Sequence, residues 1–97
     1  MGIENCPEGV VSVELSPEPE MAAELTEVTT AVRRRPCSKL VLDFSRAELV
    51  TSSSLAQLLR LREVLVAQGA GLVLCGIKPP TRGVFKVTAL DKIFQFA

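Results

Sequence analysis

The stretch KLVLDFSRAELVTSSSLAQLLRL, residues 39–61, contains a strand signal followed closely by a helix signal. Its first six residues, 39–44, are a nearly continuous apolar run, which predicts a short strand buried on both faces of a sheet. Leucines then recur at helical spacing until Gly69, so we predict a helix from about Leu55 to Gln68. A strand that leads into a helix in this way is typical of a parallel α/β sheet.

The same alternation continues on both sides of this stretch. Apolar residues spaced by four, three and four residues predict an amphipathic helix that Pro36 ends. The order β-α-β-α-β-α-β predicts an α/β fold, a mainly parallel or mixed sheet of four to five strands with helices packed on it. The remaining predicted elements are strands at 10–15, 72–75 and 93–96, a helix with the apolar face Met21, Leu25, Val28 and Val32, and a helix from Pro79 to about Thr88.

Length and charge restrict the class of protein. The 97 residues are enough for one domain, residues 1–97, in which residues 1–9 are expected to be disordered or to form a short edge strand. Acidic and basic residues balance at 11 each, so no overall charge points to nucleic acid or to an anionic membrane. No apolar run is long enough to span a bilayer and no signal peptide is visible, so we expect a cytoplasmic protein that does not insert into membranes.

The residues needed for common catalytic and metal sites are missing. The chain has no histidine, which removes the base of a Ser-His-Asp triad, and it has no SxxK motif. Its three cysteines, Cys6, Cys37 and Cys75, follow no CxxC spacing, so we expect reduced thiols, with Cys75 buried in a strand, and no metal site. No glycine-rich phosphate-binding motif is present. The sequence therefore predicts a protein that is not an enzyme and has no cofactor.

Four consecutive hydroxyl residues, 51–54, stand where the central helix begins. Ser54 and Gln57 have the spacing of a capping box, in which the serine caps the helix. One capping hydroxyl is sufficient, so Thr51, Ser52 and Ser53 are either ordinary polar loop residues or part of a modification site. A phosphoryl group at a helix N-terminus would add about −1.5 to −2 charges beside free N–H groups, which would change the surface offered to a partner.

The central helix is apolar over an unusually wide arc. Leu58, Leu61 and Leu65 lie in one direction and are predicted to face the core. With the flanking apolar residues, the arc covers roughly 220°, about twice what a surface helix needs. Either the domain covers this helix on two sides, or part of the arc meets a partner. The flanking set is Leu55, Leu59 and Val66, with Arg62 between it and the core stripe, and Val64 on the other side.

Three segments resemble the STAS domain family of bacterial anti-sigma-factor antagonists and related transporter modules. LVLDFS, residues 40–45, resembles the family's strand pattern hhLDhS, and LVTSSSL, residues 49–55, resembles its FIDSSGL motif. PTRGVFKVTALDKIFQF, residues 80–96, resembles its C-terminal segment. The resemblance runs from about Val10 to Phe96 and implies a STAS-like fold.

The resemblance also implies a function and a site. Antagonists of this family bind an anti-sigma factor that is a serine kinase, which phosphorylates the second serine of DSSG and thereby breaks the complex; a phosphatase restores the active form. By position, the phosphoacceptor is Ser53, with Ser52 before it and Asp43 near the same site. Thr51 replaces the motif's aspartate and Ser54 replaces its glycine. The implied protein is a non-enzymatic partner switch.

The expected partner is therefore an anti-sigma factor of the serine kinase type. No nucleic acid is expected to bind. Its expected interface consists of Leu55, Leu59, Arg62 and Val66. At the entry to the first helix, where the family has G-x-L-D, only Glu20 offers a similar charge. The departures at Thr51 and Ser54 leave two alternatives open: a STAS subunit that docks on the ATPase of an ABC-type lipid transporter, or a constitutive interaction module.

Overall fold

The computed structural model describes residues 1–97 and shows a five-stranded sheet with three α-helices. Two 3₁₀ turns, Pro7–Gly9 and Leu90–Lys92, complete the regular structure. The strands are β1 (Gly2–Asn5), β2 (Val10–Glu14), β3 (Lys39–Asp43), β4 (Gly71–Cys75) and β5 (Gln95–Phe96), and the helices are α1 (Glu20–Arg34), α2 (Ser52–Ala67) and α3 (Pro79–Val87).

The sheet has the order β1-β2-β3-β4-β5. β1 pairs antiparallel with β2, and all the other pairs are parallel. The predicted mixed α/β sheet is therefore confirmed. Because β2, β3 and β4 are parallel, the segments that follow them emerge at the same edge of the sheet. Residues 15–19 and 44–51, which are far apart in sequence, lie along this edge.

The apolar faces of the helices and strands meet in one core. The predicted stripe of α1 is buried, and Leu58, Leu61 and Leu65 of α2 are fully buried. Leu40 and Leu42 of β3 belong to the same core. Each fully buried leucine contributes about 1.5–3 kcal/mol relative to an exposed one, so this shared core holds α1, α2 and the sheet in position.

A small aromatic cluster attaches the C-terminal segment. The ring of Phe85 on α3 packs edge-to-face with Phe94 at 5.7 Å and with Phe96 at 5.5 Å between ring centres. Such pairs contribute about 0.5–1.5 kcal/mol beyond the burial of their area. This cluster explains why a strand of only two residues, β5, remains paired to β4.

Some details differ from the predictions. Val41 is only half-buried, so β3 is fully buried on one face and not on both. Cys75, the last residue of β4, is also half-buried and not buried as predicted. All three cysteines are free thiols. No helix has the length and apolar character needed to cross a membrane.

Candidate functional site

Helix α2 begins at Ser52, and its N-cap is Thr51. Thr51 has extended backbone angles, and its Oγ1 accepts a hydrogen bond of 3.2 Å from the N–H of Ser54. The predicted helix start at Leu55 and the capping box of Ser54 with Gln57 are therefore wrong. The three serines form the first turn of the helix, because the first hydroxyl residue of the run already provides the cap.

Ser52 and Ser53 are exposed at the tip of α2. The first N–H groups of a helix have no partner inside the helix. The cap satisfies the N–H of Ser54, whereas the N–H groups of Ser52 and Ser53 make no hydrogen bond within the protein. The Ser53 hydroxyl is also without a partner, so a free hydroxyl and two free amides lie together on the surface.

Glu18 holds the residues on either side of these two serines. A single carboxylate oxygen, Oε2, accepts hydrogen bonds from the Thr51 N–H at 2.8 Å and from the Thr51 hydroxyl at 3.0 Å. The same oxygen accepts a bond of 2.6 Å from the Ser54 hydroxyl, and Ser54 is fully buried. The first turn of α2 contains no acidic residue, so Glu18 supplies the anion that the helix dipole favours there.

Sequence reasoning missed this role of Glu18. It assigned the charge at the entry to α1 to Glu20, which is exposed and makes no side-chain hydrogen bond to the hydroxyl run. The available signal was topological. Glu18 follows β2 and Thr51 follows β3, and the carboxyl ends of neighbouring parallel strands meet at one edge of a sheet.

Asp43 lies at the same edge but makes different contacts. Its Oδ1 accepts a hydrogen bond of 2.8 Å from the N–H of Ser45. A Cβ atom built on Gly76 would lie 2.6 Å from the same oxygen, so only glycine fits beside it. No hydrogen bond joins Asp43 to residues 51–54. The structure therefore places Asp43 at the end of β3, where its carboxylate holds the start of the connection to α2, and not in the Glu18 network.

The charge of Asp43 also affects a neighbouring thiol. Asp43 stands opposite Cys75 in the pairing of β3 with β4. Burial, and then the negative charge of Asp43, raise the pKa of the Cys75 thiol. A raised pKa keeps a thiol protonated at neutral pH, so the surroundings of Cys75 do not favour the reactive thiolate.

The predicted interface on α2 divides into covered and open parts. Leu55 and Leu59 are half-buried against the core, as is Val64 on the other flank. Arg62 donates a hydrogen bond of 3.2 Å from Nε to the carbonyl of Ile93. Val66 remains 60% exposed. The domain therefore covers much of the wide apolar arc itself and leaves its C-terminal part open.

The connection before α2 adds an exposed residue that the sequence analysis did not single out. Leu49 is 61% exposed, two positions before the cap. The neighbouring Glu48 is anchored, because its carboxylate pairs with Lys78 Nζ at 2.6 Å and its carbonyl accepts a bond of 3.2 Å from the Thr81 hydroxyl. Leu49 thus projects from a segment that is tied at Glu48 and at Thr51.

The arrangement can present a hydroxyl for modification and a surface for docking. No group of three or more His, Cys, Asp or Glu side chains is placed to hold a metal ion. The tip of α2 combines the exposed Ser53 hydroxyl and the free amides with the exposed apolar side chain of Leu49. These groups are suited to recognition by another protein.

Solved structures share this fold. A protein from Thermotoga maritima, proposed to be an anti-sigma factor antagonist, superimposes with a TM-score of 0.85 at 17% identity, over 98% of this chain and 83% of its own. The anti-sigma factor antagonist SpoIIAA in its unphosphorylated form superimposes with a TM-score of 0.81 at 19% identity. The match covers 99% of this chain and 86% of SpoIIAA. An anti-sigma factor antagonist from Mycobacterium paratuberculosis superimposes with a TM-score of 0.80 at 28% identity, over 97% of this chain and 80% of its own. SpoIIAA from Bacillus has also been solved in the phosphorylated form. That structure superimposes with a TM-score of 0.75 at 19% identity, over 99% of this chain and 89% of its own.

Sequence comparison gives the family. No curated protein matches the chain. The family model of the STAS domain matches residues 15–97, which include every helix and all strands except β1 and β2. The matched region contains the cap, the exposed serines and Glu18. The chain therefore belongs to the STAS domain family.

Proposed function

We propose that this protein is a non-enzymatic partner switch that binds an anti-sigma factor of the serine kinase type. The observation that supports the proposal most directly is the exposed Ser53 hydroxyl at the tip of α2, beside two amides without partners. Glu18 bonds to Thr51 and Ser54, which flank the pair Ser52 and Ser53, and so holds the backbone that carries the acceptor. This function would place the protein in the bacterial cytoplasm.

Phosphorylation of Ser53 is the proposed control. The Ser53 oxygen attacks the γ-phosphorus of ATP bound to the kinase, a new O–P bond forms, and the bond to the β-phosphate oxygen breaks. ADP leaves, and the hydroxyl proton passes to a base of the kinase. The product carries about −1.5 to −2 charges at the centre of the docking surface, which repel a partner that accommodates a neutral serine.

The exposed surface around Ser53 supports a docking role. Leu49 and Val66 are exposed apolar side chains on the connection before α2 and on its C-terminal half. The half-buried Leu55 and Leu59, together with Arg62, lie between these two ends and complete the proposed interface. Interfaces of this kind have an apolar centre and a polar rim.

The fold relatives support the same proposal. SpoIIAA, an anti-sigma factor antagonist, exists in unphosphorylated and phosphorylated forms. In this chain the acceptor-like serine is retained by position, while the residues on either side are replaced by Thr51 and Ser54. Thr51 still caps the helix, and Glu18 supplies the carboxylate that Thr51 lacks. The replacements are therefore compatible with a functional switch.

Binding to candidate histidine-kinase-like ATPases tests the proposal. We expect wild type and Ser53→Ala to bind by calorimetry, and Ser53→Asp to bind at least tenfold more weakly. With ATP present, intact-mass measurement should show one added phosphoryl group on wild type and on the control Ser52→Ala, and none on Ser53→Ala. Equal affinity of wild type and Ser53→Asp would exclude the switch and favour a constitutive module. Co-purification with an ABC-transporter ATPase instead would favour the transporter role.

A further inference from the structure

One carboxylate oxygen of Glu18 receives all three donors that surround the tip of α2. These donors are the Thr51 N–H, the Thr51 hydroxyl and the Ser54 hydroxyl, at 2.8, 3.0 and 2.6 Å. Ser54 is fully buried, and Glu18 accepts the hydrogen bond from its hydroxyl, while the Thr51 hydroxyl donates to the Ser54 oxygen over a longer distance of 3.4 Å. A negative charge of the protein itself therefore already occupies the position where the helix dipole favours an anion.

We propose that Glu18 is an internal competitor of the phosphoryl group on Ser53, and that phosphorylation releases Glu18 from the tip of α2. This inference deepens the proposed function and rests on Ser53 being the acceptor. Its consequence is that the modification changes a second part of the surface, the segment of residues 16–19 that leads into α1.

Charge balance is the physical reason for the competition. A helix N-terminus is equivalent to about half a positive charge, which does not offset the repulsion between two anions placed side by side. A phosphoryl group on Ser53 would lie between two residues that are both bonded to Glu18. It would also have its own donors, the free N–H groups of Ser52 and Ser53. Of the two anions, the carboxylate is the one that can move away, because the phosphate is covalently attached to the helix.

The segment around Glu18 has few other hydrogen bonds that would hold it against α2. Pro17 and Pro19 have no N–H to donate. The N–H of Ser16 donates to the Glu24 carboxylate at 2.7 Å, which ties the segment to α1. The bonds of Glu18 are the only side-chain hydrogen bonds between residues 16–19 and the start of α2. Their loss would leave the side-chain bonds of Ser16 as the remaining attachments: its N–H to Glu24 of α1, and its hydroxyl, which accepts a bond of 3.5 Å from the Met1 amino group.

Amide exchange at Thr51 gives a direct readout, because its N–H bonds only to Glu18. We would measure the exchange rate and the ¹⁵N shift of this amide by NMR in wild type, Ser53→Asp and Ser53→Asn, with rates corrected for the intrinsic rate of each sequence. Asparagine matches aspartate in size and lacks its charge. We expect at least fivefold faster exchange in Ser53→Asp than in Ser53→Asn, and a larger effect in protein phosphorylated at Ser53.

Comparing Thr51 exchange in Ser53→Asp and Ser53→Asn on a Glu18→Gln background separates the effect of the Glu18 charge from the effect of its hydrogen bonds. Glutamine can still accept from Thr51 and Ser54, so Ser53→Asp and Ser53→Asn should then exchange within twofold of each other. An equal effect of Ser53→Asp in both backgrounds, or no effect in either, would overturn the competition. The measurement uses the isolated protein and needs no kinase. The competition can therefore be refuted although the kinase binds, and it can be confirmed although no kinase binds.

Discussion

Oε2 of Glu18 lies 2.6 Å from Oγ of Ser54, a residue 36 positions later in the chain. This hydrogen bond joins the connection between β2 and α1 to the first turn of α2. It also explains how a serine can be buried where the family motif has glycine. The hydroxyl would cost about 1–3 kcal/mol if it were left without a partner, and Glu18 provides that partner.

Removal of the Glu18 carboxylate should destabilise the protein. Glu18→Ala leaves the buried Ser54 hydroxyl without an acceptor, so we expect a loss of about 1–3 kcal/mol in the free energy of unfolding, measured with urea. Glu20→Ala is the matched control, because Glu20 is exposed, and it should change the stability by less than about 0.5 kcal/mol. Equal losses in the two variants would contradict the role assigned to Glu18.

Gly76 should be irreplaceable in a way that Gly69 is not. Both have positive φ, 68° and 70°, but a Cβ on Gly76 would approach Asp43 Oδ1 at 2.6 Å and the Ser45 nitrogen at 2.8 Å, whereas Gly69 faces open space. Alanine at either position has an unfavourable positive φ, so Gly69→Ala should lower the free energy of unfolding by about 1 kcal/mol. Gly76→Ala adds the close contact and should lower it by about 2–4 kcal/mol. Thermal and urea unfolding would compare them, and identical losses would show that the close contact is harmless.

Leu49 should contribute to partner binding and not to stability. Its side chain is 61% exposed beside the cap of α2, so Leu49→Ala should reduce affinity for the kinase-type partner by about 1–2 kcal/mol, roughly tenfold. Its stability to urea should be unchanged within about 0.5 kcal/mol. Val87, 87% exposed at the end of α3, provides the control Val87→Ala, which should bind as wild type does. If both variants bind normally, the interface does not include Leu49.

Glu24 should make stability depend on pH in the acid range. Burial alone would raise the pKa of Glu24, but hydrogen bonds from Ser16 and the Met1 amino group outweigh it and lower the pKa below the ordinary value of 4.5. Because the folded pKa is the lower one, ionised Glu24 stabilises the fold above the unfolded pKa, and this stabilisation disappears as pH falls through the folded value. Urea unfolding between pH 7 and acid should show a shallower decline for Glu24→Gln, and identical slopes would refute this linkage.

Local pattern predicted most of the architecture. The apolar spacing of α1 and of residues 58–65 marked buried faces, because a helix that covers a sheet must place one stripe of side chains against it. The mixed sheet followed from the alternation of strand and helix signals. The start of α2 was wrong by three residues, because four adjacent hydroxyl residues are all chemically able to cap and only the backbone path selects Thr51.

The site was only partly predictable. The hydroxyl run marked the tip of α2, and Ser53 stays a prediction as the phosphoacceptor. The exposure of Leu49 and Val66, and the half-burial of Leu55 and Leu59, depend on how far the neighbouring elements cover them. A helical pattern gives the direction of a side chain and not the extent of the surface opposite it.

By itself, the sequence determined the α/β class, the alternation of strands and helices after residue 9, and the buried stripes of α1 and α2, because these follow from hydrophobic periodicity within short segments. Only the tertiary structure decided which carboxylate reaches the hydroxyl run. Parallel pairing of β2 with β3 brings Glu18 to Thr51 and Ser54 across 33 and 36 positions of sequence. That contact depends on strand register and on the paths of two connections, which no local pattern encodes.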